Sequence, residues 1–205
     1  MNKKIFYLAI SLVVVLFSSC NKEESTNGNE EEPTNKSFVI EASGIDVKGR
    51  DIVTVKAILS AVVPNKNGYS DFIDNEIASA KFENGGFKLI LPDTVLNEYL
   101  GKILGIAEGV IVSNIYAKTG YVSIQGYDNA GESICSFNSR GNEWSFEYMY
   151  SDSNFTQKGN SFDCSFEKGW NIMYHRMVNN MIHTTQKPLD ENFKWYMGVT
   201  ELTSE

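Results

Sequence analysis

Along most of the chain, apolar and polar side chains alternate with a period of two, the pattern of strands that bury one face. Residues 143–150 are the most regular case. Trp144, Phe146, Tyr148 and Tyr150 take one face, and Glu143, Ser145 and Glu147 take the other. Phe162, Cys164 and Phe166 repeat the pattern against Asp163, Ser165 and Glu167. Short runs rich in Val, Ile, Phe, Tyr and Thr, punctuated by Gly and Asn, predict strands near 38–43, 52–63, 76–83, 86–91, 109–116, 120–127, 132–138, 143–150, 161–167, 170–178, 181–187 and 194–202. Asn84-Gly85-Gly86, Asp128-Asn129-Ala130-Gly131 and Asn179-Asn180 supply the residues that accept the positive φ of tight turns, so the neighbouring strands should be antiparallel.

One stretch breaks the rule. Val95, Leu96, Tyr99, Leu100, Ile103 and Leu104 recur at helical spacing behind Pro92-Asp93, with Asp93 as N-cap and Gly105 as stop. The expected fold is therefore an all-β antiparallel β-sandwich with one short helix plugging an end. A lipocalin-like β-barrel is the alternative, and an interior apolar cavity would mark it.

The N-terminus follows a different logic. Lys3 and Lys4 precede an apolar stretch of 13 residues, 5–17. A ~30 Å hydrocarbon core needs about 20, so the segment reads as a cleavable signal. It ends in Leu16-Phe17-Ser18-Ser19-Cys20, which resembles a bacterial lipoprotein signal, although Leu stands four rather than three residues before the cysteine. The resemblance implies cleavage between Ser19 and Cys20 and acylation of Cys20. Residues 21–36 contain no large apolar side chain and are expected to be a disordered acidic tether. A flexible segment of this length has a root-mean-square span of roughly 22 Å and an extended reach of about 55 Å. Lys22-Glu23-Glu24 resembles the acidic export signal of Bacteroidetes-type surface lipoproteins. It implies an outer-membrane protein, lipid-anchored and facing outward. The expected organisation is a signal peptide (1–19), a lipidated cysteine with its tether (20–36) and a single β-rich domain (37–205).

Charge narrows the partners. The chain has 18 basic and 26 acidic side chains, and loss of residues 1–19 takes away two lysines and no acid, moving the formal charge from −8 to −10. No basic stripe is available for phosphates, so nucleic acid is not an expected partner. The membrane, through the lipid, and a glycan or protein ligand are.

Cys135 and Cys164 each share a strand face with phenylalanine. They form a candidate disulfide across a loop of about 30 residues, a closure that contributes roughly 3 to 4 kcal/mol, or else two separate buried thiols. The Trp144, Phe146, Tyr148, Tyr150 row has two readings as well. Facing inward it is core; facing outward it is a platform for stacking on sugar rings. Burial of so much aromatic surface favours the core.

Catalytic chemistry finds little support. A two-residue Asn179-Asn180 turn sets Val178 against Met181, Arg176 against His183 and His175 against Thr184. The two imidazoles then lie on opposite faces and do not share a metal. There is no zinc-spaced Cys or His cluster and no Gly-x-Ser-x-Gly elbow. Asp71, Asp74 and Glu76 offer oxygen ligands without an EF-hand spacing. Asp93-Thr94-Val95 resembles a short O-glycosylation signal. Neither metal nor cofactor is expected.

Two further resemblances carry no site residue. Phe166-Glu167-Lys168-Gly169-Trp170-Asn171-Ile172 with Lys194-Trp195-Tyr196 resembles the end of small Bacteroidetes lipoproteins that have no known activity. Ile77-Ala78-Ser79-Ala80 and Asn84-Gly85-Gly86-Phe87-Lys88-Leu89-Ile90-Leu91-Pro92 are similar to a hairpin of transthyretin-like and carboxypeptidase-regulatory-like sandwiches. The expected function is a non-enzymatic surface binding or adhesion module. A structural lipoprotein of an envelope complex is the second reading, and a glycoside hydrolase using two carboxylates is the third.

Overall fold

The computed structural model describes residues 37–67, 69–103, 106, 109–186 and 192–199. The signal, Cys20 and the tether lie outside them, as do Leu104, Gly105 and the ends of the last two expected strands.

The described chain is built from strands: β1 (Phe38–Ala42), β2 (Thr54–Pro64), β3 (Ser70–Lys81), β4 (Phe87–Leu91), β5 (Gly101–Lys102), β6 (Ile111–Val112), β7 (Lys118–Tyr127), β8 (Ser133–Arg140), β9 (Ser145–Ser151), β10 (Phe155–Gly159), β11 (Phe162–Phe166), β12 (Gly169–Val178), β13 (Met181–Thr185) and β14 (Lys194–Val199). Twelve form one mixed sheet in the order β3-β2-β7-β8-β9-β12-β13-β11-β10-β6, with β14 beside β8 and β5 beside β7. β1 and β4 form a separate antiparallel pair. The sheets do not close into a barrel, and the sandwich reading holds.

Two apolar clusters lie on opposite faces of β9 and β12. On one face, Tyr148, Tyr150 and Trp170 pack with Ile40, Leu89 and Leu91 of the β1–β4 pair and with Val55 and Leu59 of β2. On the other, Met149 and Met173 meet Phe155, Cys164 and Phe166 of β10 and β11, with Ile103 and Ala117. Strands buried on both faces stop alternating, which is why the second half of β9 is buried at every position from Tyr148 to Ser151.

The expected helix is not formed. Only one 3-10 turn, Asn97–Tyr99, interrupts an extended path, with Leu96 rather than Asp93 at its N-cap and no side-chain cap. Leu100 enters the first cluster and Ile103 the second, so these side chains serve opposite faces. A helical stripe serves only one.

Two of the three turns, at 128–131 and 179–180, join antiparallel partners as expected. Asn179 and Asn180 have φ of 50° and 62°, and β12 pairs with β13 with His175 opposite Thr184, Arg176 opposite His183 and Val178 opposite Met181. Asn84 and Gly85 likewise have positive φ. There the flanking strands pair only through the Glu83–Gly86 bridge. β4 then leaves β3 to join β1, and the turn carries the chain from one sheet to the other.

The candidate disulfide is corrected. Cys135 and Cys164 are buried free thiols in different clusters. Burial pushes Cys164 from its ordinary 9.0 up to about 11, and burial raises Cys135 as well. A raised folded value means that stability is complete below the unfolded value of about 9 and falls as the pH passes toward 11. We expect a loss of about 2 to 3 kcal/mol from Cys164 over that window. Urea melts at pH 8 and pH 11 measure it, and a Cys164→Ala chain should lose less over the same interval.

Candidate functional site

The strand register creates one opening. β7 runs beside β2, and its other edge is divided: Thr119 to Val122 pair with β9, and Ile124 to Tyr127 pair with β8. β8 and β9 themselves pair only at Ser139–Phe146 and Arg140–Ser145, next to their turn. Between turn and β7 they diverge, and Ser123 stands where the pairing passes from one to the other. The fork encloses a cleft of about 240 Å³.

The pleat decides what lines it. Residues joined by register share a face, so Ser123, Ser136, Asn138, Ser145, Glu147 and His175 form a polar rim on one side. Val122, Ile124, Phe137, Phe146, Tyr148 and Trp195, from the opposite side, form a floor that is apolar apart from Ser139, whose hydroxyl donates to the Phe146 carbonyl. The floor is braced edge-on: Phe146 lies 5.4 Å from Tyr148 and 5.7 Å from Trp195, both near perpendicular. Such pairs contribute about 0.5–1.5 kcal/mol each beyond area burial.

The rim is held by side-chain contacts. Thr184 Oγ1 lies 3.0 Å from His175 Nδ1. Glu147 Oε1 lies 3.0 Å from His175 Nε2, an ion-pair distance without hydrogen-bond alignment. Asn138 donates to Ser136 Oγ at 3.2 Å, and Gln125 donates to Ser123 Oγ at 3.3 Å while accepting from the Tyr127 hydroxyl. Farther out, Lys56 lies over the Tyr127 ring and pairs with Glu76 at 2.8 Å; the hydrogen bond to Glu76 raises the lysine. Burial, reinforced by Tyr174, pushes the Tyr148 hydroxyl far up, so it is a neutral group at the floor.

The aromatic row keeps its expected common face, but the platform reading is corrected. Tyr148 and Tyr150 are buried, against Phe38 and Trp170 respectively. Phe146 is half-buried in the cleft floor. Trp144 lies just outside β9 with the Arg176 guanidinium 4.6 Å from its ring centre. Phe146 and Tyr148, the middle of the row, border the cleft.

The other candidates are dispersed. Asp71, Asp74 and Glu76 lie within β3, not in a loop, and hold Asn65, Ser60 and Lys56 respectively. Among the described residues no group of three or more His, Cys, Asp and Glu is placed to hold a metal ion. His175 and His183 occupy opposite faces of the β12–β13 hairpin. Sequence reasoning missed the rim. Its trace was the run of small hydroxyl and amide side chains on the polar face of β8, where a merely solvated face more often carries Lys and Glu.

No protein family model, no curated protein and no solved structure matches this chain.

Proposed function

We propose that the protein is a lipoprotein of the outer membrane, anchored through acylated Cys20 and facing outward, that binds a glycan by taking one sugar ring into the fork cleft. The observation that carries the reading is the cleft itself, a rim of hydroxyl, amide, carboxylate and imidazole groups around an aromatic floor. Sugars present alternating hydroxyls and an apolar ring face, and this arrangement offers a counterpart to each. The volume is below the about 300–1,000 Å³ of drug-sized sites, which suits one terminal or side-branch residue of a longer chain. Glu147 is the single carboxylate among the lining residues, whereas hydrolysis by paired carboxylates uses two. Assembly by strand addition is less favoured, because the open edge of β3 carries Asp71, Asp74 and Glu76 and its pairing with β2 contains an irregularity at Ala57/Ile58.

Calorimetric titration of the mature chain with a panel of neutral oligosaccharides should yield a binder whose affinity falls at least tenfold, about 1.4 kcal/mol, in Asn138→Ala and in Glu147→Gln. Binding that both variants retain in full would remove the cleft from the account. For the anchor, Cys20→Ser should leave an unprocessed precursor without lipid label. A processed, labelled variant would contradict it.

A further inference from the structure

We infer that the end of the sandwich from which the chain leaves toward Cys20 rests on the bilayer surface, through Tyr69, Phe72, Ile115 and Tyr116. This inference depends on the lipid anchor proposed above. Register places the four side chains together. Val62 of β2 faces Phe72, and Gly101 lies against the Val62 backbone while pairing with Thr119. Tyr69 is in the β2–β3 connection just beyond, and Ile115 and Tyr116 immediately precede β7. All four are open to solvent: Tyr69 and Phe72 at 74%, Ile115 at 61% and Tyr116 at 85%. Isolated exposed apolar residues need no account, but four at one end of the sheet, three in loops and Phe72 at the start of β3, do.

The chain's exit is at the same end. Phe38, the first residue of β1, packs 6.0 Å from Trp170. Trp170 pairs with Tyr150, and Tyr150 with Gly120, one step from Thr119. The 18 residue steps from Cys20 to Phe38 span at most about 60 Å, and this is the end of the domain that they join. The cleft floor begins at Tyr148, which touches Phe38, but its polar rim extends away from this end: Ser145 and His175 are five residues from Tyr150 and Trp170, about 17 Å along the strands. A domain standing on this end thus turns the far part of the rim, Ser145 and His175, outward.

The chemistry fits a headgroup layer better than a second copy. Tyrosine, with an apolar ring and a polar tip, is favoured at membrane interfaces. Lys66, Lys102 and Lys118 flank the patch with long apolar stems and cationic tips, and the last two donate to the neutral oxygens of Ser70 and Asn97. The acids here are Asp71, Glu98 and Asp152. Asp71 accepts from Asn65, and Asp152 from the Lys118 backbone and the Ser153 hydroxyl. The four side chains expose on the order of 500 Å², short of the about 800 Å² per partner of a stable protein interface. For a chain already tethered to the surface that area suffices, since contact is then intramolecular in effect.

The test uses the full lipidated chain in phosphatidylcholine vesicles containing brominated lipid, with lipid label quantified on the same sample. Tyr116→Trp should be quenched at least twofold more than the parent's own tryptophans, and Met181→Trp, at the far end, should match the parent. Labelled protein with equal quenching at both positions, or none, overturns the inference and leaves the anchor intact. Fluorescence at position 116 that changes with protein concentration in detergent but not with bromolipid assigns the patch to a second copy, which also overturns it. A chain without label removes the anchor and this contact together.

Discussion

Replacing Gly101 by alanine is expected to cost about 4 kcal/mol or more, the range reserved for substitutions that force backbone apart. A Cβ at this position would stand 2.1 Å from the Val62 carbonyl oxygen, 2.6 Å from its carbon and 2.7 Å from its nitrogen. No side-chain rotation relieves a clash with main chain. Either β5 leaves β7 or the end of β2 shifts, and both moves disturb Leu100 and Ile103, which plug the two clusters from either side. For a domain of this size the loss corresponds to a fall in melting temperature of roughly 10 °C. Thermal melts followed by circular dichroism measure it, and a change of less than 3 °C would mean that the approach of β5 to β2 is looser than described.

The same glycine explains where the sequence misled. Residues 93–104 carry helical spacing, but a glycine inside a helix costs about 1 kcal/mol relative to alanine, and here its small size is what lets an extended chain lie against Val62. Alternation located most of the remaining strands, because the first cluster draws on one face of β2, β4, β7 and β9. It failed where that premise fails. The first half of β3, Ser70 to Asn75, is an open edge carrying charge, and it read as loop. β10, with Thr156, Lys158 and Gly159, has too few apolar residues to show. The apolar run 109–116 yields only the two residues of β6, since Ile111, Ile115 and Tyr116 are exposed. Asn179-Asn180 is the opposite case, a local turn whose length fixes register and so places both histidines. The cleft could not be read in this way. It arises because β8 and β9 part over β7, a choice made between β7–β8 pairings 6 to 13 residues apart and β7–β9 pairings 26 to 32 residues apart, and no single strand pattern records it.

The second large effect concerns the layer that turns the aromatic row inward. Leu59 is fully buried, and truncation to alanine should cost about 3 to 5 kcal/mol through lost transfer energy and an unfilled cavity. Gly120 is its neighbour on β7. A Cβ there would meet Leu59 Cγ, Cδ1 and Cδ2 at 2.8, 2.9 and 3.0 Å, so Gly120→Ala alone is an overpacking change expected to cost about 1 to 3 kcal/mol. These two losses should not add. With Leu59 truncated, the methyl at position 120 enters vacated space, and the double variant should be about 1 to 2 kcal/mol more stable than the sum predicts. Gly120 also faces Tyr150 across the β7–β9 pair. The absent side chain at position 120 therefore makes room for Leu59 in the layer beside Tyr150, where Tyr150 is buried in the core while Phe146 and Tyr148 floor the cleft. Urea melts of the two single variants and the double complete the cycle. Strict additivity would show that Leu59 and Gly120 do not share this space, and the packing argument for the inward row would fail with it.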